Sequence, residues 1–173
     1  MKIIPMFMIL DNENGKKHIE RMELDYFIEA YEHSRGEKLV PVKAYESPDF
    51  YCQRADGTVI GLELTQIMNS LESEDMTGTE ARDKLYESLE RKKGLTTEKI
   101  ILVLQLVGCP ISELKYLLDE SLAKDFGSYG FVEIWLADYT GIEAYGDIEL
   151  FCLYPSEQWG YYQRQYPEQK PYG

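Results

Sequence analysis

Two acidic residues near the facing ends of neighbouring apolar runs are the side chains best placed to do chemistry. Asp49 follows a proline, and Glu63 begins the run Glu63-Leu64-Thr65. Between the two runs, Asp56-Gly57 carries the signal of a tight β-hairpin turn. Carboxylates that converge from neighbouring strands can hold a divalent metal ion beside a phosphodiester. The same residues could equally belong to a solvated hairpin.

The elements that must position these carboxylates begin with a helix and three strands. Helical spacing of apolar residues predicts a helix over 17–34, with Gly36 as its stop. Residues 38–45, 50–54 and 58–65 are predicted strands, and Pro41 favours an edge position for the first. Because side chains alternate along a strand, we expect Glu63 and Thr65 to point to the same side.

The second half of the chain predicts alternating helices and strands. A capping box at Thr77-Gly78-Thr79-Glu80 opens a helix that runs through Lys93 and closes at Gly94. The almost continuously apolar run 99–107 predicts a strand covered on both faces, as in a mixed or parallel sheet flanked by helices. A helix over 111–126 and strands over 131–137 and 148–153 follow.

Length and composition indicate one globular domain, which we assign to residues 1–153. The chain has 173 residues, of which 44% are hydrophobic. Residues 154–173 are rich in Tyr, Gln and Pro, and we expect a C-terminal tail that wraps the domain or is partly disordered. Its aromatic residues, such as Trp159 and Tyr161, could stack on bases or simply pack against the domain.

Charge and cysteine usage limit the classes of partner and compartment. A net charge of −13 argues against broad affinity for nucleic acid, although basic residues cluster between Arg82 and Lys99. Three cysteines without a C-x-x-C pattern and two histidines without ligand spacing disfavour structural zinc and disulfides, so a cytoplasmic location is expected. The apolar run 3–10 is too short to span a bilayer and predicts a strand or a packed arm, and no membrane partner is expected.

The order of elements around the two carboxylates resembles the PD-(D/E)XK nuclease superfamily. A helix, a three-strand meander carrying Pro-Asp and then Glu-x-Thr, a second helix and a buried strand cover roughly residues 17–107. The resemblance implies an α/β protein with the restriction endonuclease-like αβββαβ core, in which helices flank a mixed central sheet. It also implies hydrolysis of phosphodiesters in DNA or RNA, with Mg²⁺ (or Mn²⁺) bound by Asp49, Glu63 and the backbone carbonyl of Leu64.

The chain departs from the family pattern at Thr65, where the family has a lysine that stabilises developing charge. A threonine cannot supply a cation, so we expect a replacement from the following helix, as in some members of the family. An apolar stripe that includes Leu85 and Leu89 defines the inner face of this helix, and Lys92 falls within it. Lys93 flanks the stripe and is the second candidate. Alternatively, Lys92 only extends to solvent at the helix C-terminus, where a cation is favourable.

Two further site residues follow from the resemblance. Thr65 is expected to hydrogen-bond a water or a neighbouring ligand. The first helix of the family often contributes a glutamate, and Glu23 is the candidate because it lies within the apolar stripe of residues 19–30. Alternatively, Glu23 is an exposed acid of the first helical turn.

Two other functions remain open at this level. A catalytically inactive member of the same fold could bind a basic protein partner through its acidic surface, as the missing lysine and the charge of −13 favour. An unrelated α/β binding domain would apply if residues 38–65 did not form three adjacent strands. Nothing in the sequence indicates an oligomeric state.

Overall fold

The computed structural model describes residues 13–46, 48–67, 75–95, 98–118 and 126–162. Within these ranges the chain is an α/β protein with four α-helices and seven strands. The elements in chain order are α1 (Glu13–Arg35), β1 (Val40–Ala44), β2 (Phe50–Gln53), β3 (Val59–Ile67), α2 (Gly78–Lys92), β4 (Ile100–Leu106), α3 (Ile111–Leu114), β5 (Glu133–Asp138), α4 (Ile142–Tyr145), β6 (Glu149–Tyr154) and β7 (Gly160–Tyr162).

The seven described strands form one mixed sheet in the order β1 to β7. Strands β1, β2 and β3 are antiparallel neighbours, so the condition for an unrelated binding domain is not met. Strand β4 lies parallel to both β3 and β5, and the last two pairings are antiparallel. All seven residues of β4 are buried, which explains why its sequence is almost continuously apolar.

Two hydrophobic cores lie on opposite faces of the sheet. On one face, Leu24 and Phe27 of α1 pack with Leu62 of β3. On the other face, Leu85 and Leu89 of α2 pack with a second set of strand residues. Because β3 alternates its side chains, its even-numbered residues face α1 and its odd-numbered residues from Glu63 onward face α2. The carboxylate of Glu63 therefore belongs to the α2 face.

The predicted end of α1, the predicted start of α2 and the predicted hairpin turn are confirmed, whereas α2 ends at Lys92 and a 3₁₀ turn over Lys93–Leu95 runs through the expected stop at Gly94. At the end of α1, Gly36 has a φ of 76°, a left-handed conformation that favours glycine, and its N–H donates to the carbonyl of Glu32 at 2.8 Å. At the start of α2, the Thr77 hydroxyl accepts from the N–H of Glu80 while the Glu80 carboxylate accepts from the N–H of Thr77. Gly57 takes the positive φ of the predicted hairpin.

The structure differs from the predicted elements in three further places. Helix α1 begins at Glu13, one turn earlier than the expected residue 17. The helix expected over 111–126 is interrupted in its first half, because α3 ends at Leu114, a 3₁₀ turn covers Lys115–Leu117, and Leu118 has an extended backbone. Residues 119–125 of this expected helix lie outside the described ranges. Residues Gly160–Tyr162 of the expected tail pair with β6 as a seventh strand.

Part of the sequence falls outside the described ranges. This holds for the apolar run 3–10, for residues 68–74 and for the tail beyond residue 162. Within the described part of the chain, no helix is both long enough and apolar enough to cross a membrane.

Candidate active site

Glu63 sits in the middle of β3 and is almost fully buried. Glu63 is 4% exposed, and Thr65, two residues further along the strand, is 5% exposed. Side-chain alternation places both on the α2 face, while Leu62 on the other face belongs to the α1 core. A charged side chain in this position needs a partner, because burying an unpaired carboxylate is costly.

That partner is Lys92, the last residue of α2. Its Nζ atom lies 2.7 Å from Oε2 of Glu63 and donates a hydrogen bond to it. The helix presents Lys92 to the sheet because Leu85 and Leu89 bury the same face against the core. The other sequence candidate, Lys93, is exposed, and its ammonium lies 2.9 Å from Glu90 on the same helix. Of the two lysines, Lys92 is thus the one that contacts the strand.

Asp49 lies just before the first residue of β2, beside the part of β3 that β2 does not reach. It immediately precedes β2, which begins at Phe50 opposite Leu62. Oδ2 of Asp49 accepts a hydrogen bond from the N–H of Leu64 at 2.8 Å, so a side-chain oxygen replaces the missing strand partner. The N–H and C=O of a strand residue point to the same side, so the Leu64 carbonyl also points towards Asp49.

The position of Asp49 depends on a close approach between Pro48 and Gly61. A Cβ atom on Gly61 would lie 2.7 Å from Cγ of Pro48, too close for van der Waals contact. The Pro48 ring therefore packs on β3 because residue 61 has no side chain. Glycine at 61 is a sequence signal for this contact that pattern analysis of the strand did not use.

Burial and neighbouring charges raise the pKa of the Asp49 carboxyl to about 6. Burial is the largest cause, and the charges of Glu63 and Glu20 add to it. The hydrogen bond from the Leu64 N–H and the charge of Lys17 act in the opposite direction. Glu63 is thus close enough for its charge to disfavour the ionised form of Asp49.

Several polar atoms at this site lack protein partners. Oε1 of Glu63 and Oγ1 of Thr65 are both buried and form no hydrogen bond to any described residue. Together with Asp49 and the Leu64 carbonyl, they form a set of hard oxygen donors, the type that Mg²⁺ prefers while it keeps several waters. The residues present therefore fit a magnesium ion. In the described ranges, no group of three or more His, Cys, Asp or Glu side chains is placed to hold a metal, so the fit depends on the carbonyl and on water.

Glu23, the sequence candidate on the first helix, lies on the other face of the sheet. Its Oε2 atom is 3.5 Å from Nε2 of Gln66, and its backbone carbonyl accepts a hydrogen bond from the Tyr139 hydroxyl at 2.7 Å. The acid of α1 that acts on Asp49 is Glu20, whose charge raises the pKa of Asp49. Glu23 is thus not brought to Glu63 in the way that Lys92 is.

Sequence reasoning missed Glu20 and Lys17 because it chose the acid of the first helix, Glu23, by its place in the apolar stripe of residues 19–30. Lys17 lies 3.1 Å from Glu20, and its Nζ donates to the backbone carbonyls of Asp49 and Tyr45. With the helix starting at Glu13, both side chains fall in its second turn. Glu20 stands four and seven residues before the buried Leu24 and Phe27, so this helical spacing was the signal that could have found it.

The aromatic residues of the expected tail pack on the domain where the structure describes them. Trp159 contacts Phe151 with a ring-centroid distance of 5.2 Å and Phe126 at 6.3 Å. Tyr162 contacts Trp135 at 5.5 Å. These rings extend the two cores rather than forming a separate stacking surface. Tyr166, Arg164 and Tyr172 lie outside the described residues.

In comparisons with known proteins, no family model matches the chain, and neither a curated protein nor a solved structure matches it significantly.

Proposed function

We propose that the protein is a Mg²⁺-dependent phosphodiesterase with a restriction endonuclease-like core, acting on DNA or RNA. The observation that carries the proposal is the 2.7 Å contact between Nζ of Lys92 and Oε2 of Glu63. It supplies, from a helix, the cation that the motif lacks at Thr65. The element order α1-β1-β2-β3-α2-β4 and the mixed sheet also support the proposal.

Asp49, Glu63 and the Leu64 carbonyl would hold the metal. When bound there, Mg²⁺ would neutralise charge on a phosphodiester and lower the pKa of a bound water. The Leu64 N–H fixes one oxygen of Asp49, which leaves Oδ1 to bind the ion. Oε1 of Glu63 is likewise left over, because only Oε2 accepts from Lys92. Each carboxylate therefore uses one oxygen for the protein and offers the other to a ligand.

Lys92 and Thr65 would act on the substrate and the water. The ammonium of Lys92 is held in place by Glu63, so it can stabilise the negative charge that develops on phosphate oxygens without a large reorganisation. The Thr65 hydroxyl points to the same side as Glu63, and it has a free hydrogen-bond capacity that a water or a phosphate oxygen would satisfy.

Metal binding is the first test. Isothermal titration of Mg²⁺ and Mn²⁺ into the wild type should give a saturable isotherm, and Asp49→Ala should abolish it. Glu143→Ala is the matched control, because Glu143 is an exposed carboxylate on α4. Equal, negligible heats from the wild type and Asp49→Ala would refute the metal-dependent mechanism.

A nucleic-acid cleavage assay distinguishes the roles of Lys92 and Lys93. With Mn²⁺ and labelled single-stranded DNA, double-stranded DNA and RNA, the wild type should cut at least one substrate. Lys92→Ala should lower the rate by about 10²-fold or more, as expected for loss of a charge that stabilises the transition state. Lys93→Ala should leave the rate unchanged, since Lys93 contacts Glu90 on the exposed side.

A catalytically inactive acidic binding module is the second candidate. The observation that favours it is the ion pair itself, because Glu63 already neutralises the charge of Lys92. Cleavage of none of the three substrates, together with recovery of a basic protein in a pull-down that Asp49→Ala leaves intact, would favour this function over the nuclease.

A further inference from the structure

A polar cleft lies on the α1 face of the sheet, between α1 and the C-terminal halves of β3 and β4. Its volume is about 410 Å³, and its polar lining includes Glu23, Gln66 and Gln105, while Ile19 and Leu64 give it apolar walls. A cleft of this size can enclose a drug-sized ligand.

The two glutamines lie side by side because of the register of the sheet. Gln66 of β3 pairs with Gln105 of the parallel strand β4, so their carboxamides emerge on the same face. Gln66 is exposed, whereas Gln105 is only 2% exposed. Gln105 is the one polar residue of β4, since the other six residues of this buried strand are all apolar.

Gln105 carries a hydrogen-bond donor that the protein does not use well. Its Nε2 atom is buried and forms no hydrogen bond of acceptable geometry with any described residue. Leaving such a donor unpaired costs free energy, which a ligand in the cleft would recover. The Gln105 side chain lines the cleft, so this donor lies at the wall of the cleft, near the Glu23 carboxyl.

Glu23 completes the group of polar atoms. The Tyr139 hydroxyl donates to its backbone carbonyl, which fixes this turn of α1 against the sheet. Burial raises the pKa of the Glu23 carboxyl, and the nearby amides of Gln105 and Gln66 partly offset the rise. Both glutamines present a donor and an acceptor, and an ionised Glu23 presents acceptors alone.

The cleft and the candidate active site share two residues. The Leu64 N–H bonds to Asp49 while the Leu64 side chain lines the cleft. Glu20 also lines the cleft, and its charge raises the pKa of Asp49. A ligand in the cleft would therefore lie on the Asp49 side of the candidate active site, while the Glu63 carboxylate is on the other face of the sheet.

We propose that the cleft binds the adenine base of an unpaired nucleotide, with the rest of the nucleotide on the Asp49 side of the candidate active site. A glutamine carboxamide matches the N6 donor and N7 acceptor of adenine bidentately, and Glu23 accepts from an exocyclic amino group. Uracil and thymine present a carbonyl oxygen in place of this amino group, which the carboxylate repels. Only a base out of the stack can enter, so the substrate is single-stranded or locally extruded.

The choice of a phosphodiester as substrate rests on the proposed function, but the base pocket can be tested without it. Two-dimensional NMR titration in EDTA with adenosine and uridine, which carry no phosphate, isolates recognition of the base. Adenosine should shift the side-chain amide signals of Gln66 and Gln105 and bind about tenfold or more tightly than uridine.

Substitutions of the two glutamines test whether adenosine binds in this cleft. Gln105→Leu keeps the size of the buried side chain and should weaken adenosine binding about tenfold or more. Gln66→Ala changes an exposed residue, so it tests the pocket without risk to the fold, and it should weaken binding too. Gln53→Ala, at an exposed glutamine of β2, is the matched control and should have no effect.

The outcomes separate the two proposals. Equal affinity for adenosine and uridine, no binding of either, or unchanged adenosine binding in both glutamine variants would overturn the base pocket, even if Mg²⁺ binds at Asp49. Selective adenosine binding that persists in Asp49→Ala, with no metal binding by the wild type, would support the base pocket and refute only the nuclease.

Discussion

Two glutamates are buried in the described strands of the sheet, and they differ in how many of their carboxylate oxygens are hydrogen-bonded. Glu63 of β3 is 4% exposed and Glu133 of β5 is 8% exposed. Each faces a basic side chain, Lys92 for Glu63 and Arg54 for Glu133. By burial and by pairing they look equivalent, and the difference lies in the number of their oxygens that the protein satisfies.

The protein satisfies both oxygens of Glu133. Oε1 accepts from the Tyr31 hydroxyl at 2.9 Å and from Nε1 of Trp135 at 2.7 Å. Oε2 accepts from Arg54 at 3.3 Å and also lies 3.0 Å from the Tyr31 hydroxyl. The guanidinium of Arg54 extends the network to both carboxylate oxygens of Glu37. A network with this degree of satisfaction stabilises one arrangement of the fold.

Among the residues that the structure describes, only one oxygen of Glu63 has a protein partner. Lys92 contacts Oε2, while Oε1 and the neighbouring Thr65 hydroxyl are buried without one. Lysine carries a compact charge, whereas the planar arginine fork can bond to two carboxylates at once. The comparison teaches that a buried acid indicates structure when its lone pairs are filled by the protein, and a ligand site when they are left open.

The largest effect should come from breaking the Glu133 network. Glu133→Ala leaves Arg54, Tyr31 and Trp135 without their shared acceptor, so we expect a loss of about 3 to 5 kcal/mol in the free energy of unfolding. Glu63→Ala should cost far less, because Lys92 at the end of α2 can turn to solvent. Urea unfolding of both variants measures the difference. Equal losses would mean that the two glutamates have the same role.

A smaller effect, with a gain of stability, is expected from Asp49→Asn without metal. The pKa of Asp49 is about 6 in the fold against 3.8 for the ordinary side chain, so ionisation destabilises the folded state. The stabilisation from the protonated form is complete below about pH 4 and is lost as the pH rises through 6. Asparagine keeps an acceptor for the Leu64 N–H and cannot ionise.

Unfolding curves in EDTA check this pH dependence. Asp49→Asn should be more stable than the wild type by about 2 to 3 kcal/mol at pH 7.5 and equal to it at pH 3.5. A variant that is less stable than the wild type at pH 7.5 would show that the carboxylate is satisfied by the protein, as Glu133 is.

Magnesium should stabilise the fold only through the site formed by Asp49, Glu63 and the Leu64 carbonyl. At a free Mg²⁺ concentration ten times Kd, the wild type should gain about 1.4 kcal/mol in the free energy of unfolding. Glu63→Gln should remove this gain, because the neutral amide is a poor ligand for Mg²⁺. Glu143→Gln, at an exposed carboxylate, should keep it. Thermal unfolding with and without Mg²⁺ measures the effect, and an undiminished gain in Glu63→Gln would exclude the site.

The last effect concerns the two adjacent lysines. Lys92→Ala leaves the buried Glu63 carboxylate without its cation and should cost about 1 to 3 kcal/mol in EDTA. Lys93→Ala should produce no measurable change. Saturating Mg²⁺ should stabilise Lys92→Ala more than the wild type, since the ion replaces the missing positive charge at Glu63. An identical response of the two lysine variants would contradict the contact between Lys92 and Glu63.

Most of the fold near the site could be predicted from local patterns. The capping box at Thr77, the stop at Gly36 and the turn at Gly57 are encoded within four or five residues, and all three are present. The end of α3 at Leu114 could not be predicted, because the leucines that follow keep the helical spacing while Leu117 stays exposed and Leu118 is extended. Strand β7 is short, and its pairing with β6 is a non-local contact.

The sequence by itself determined which residues share a side of a strand or helix, because the periods of 2 and 3.6 are properties of neighbouring residues. It therefore placed Glu63 and Thr65 on one side of a strand and Lys92 on the inner face of a helix, and the resemblance to the nuclease superfamily joined them with Asp49 as one expected site. Only the tertiary structure decided that Lys92 meets Glu63 across 29 positions and that Glu20, rather than Glu23, acts on Asp49. It also set Gln66 beside Gln105. These contacts depend on strand register and on where β2 begins, which long-range packing fixes.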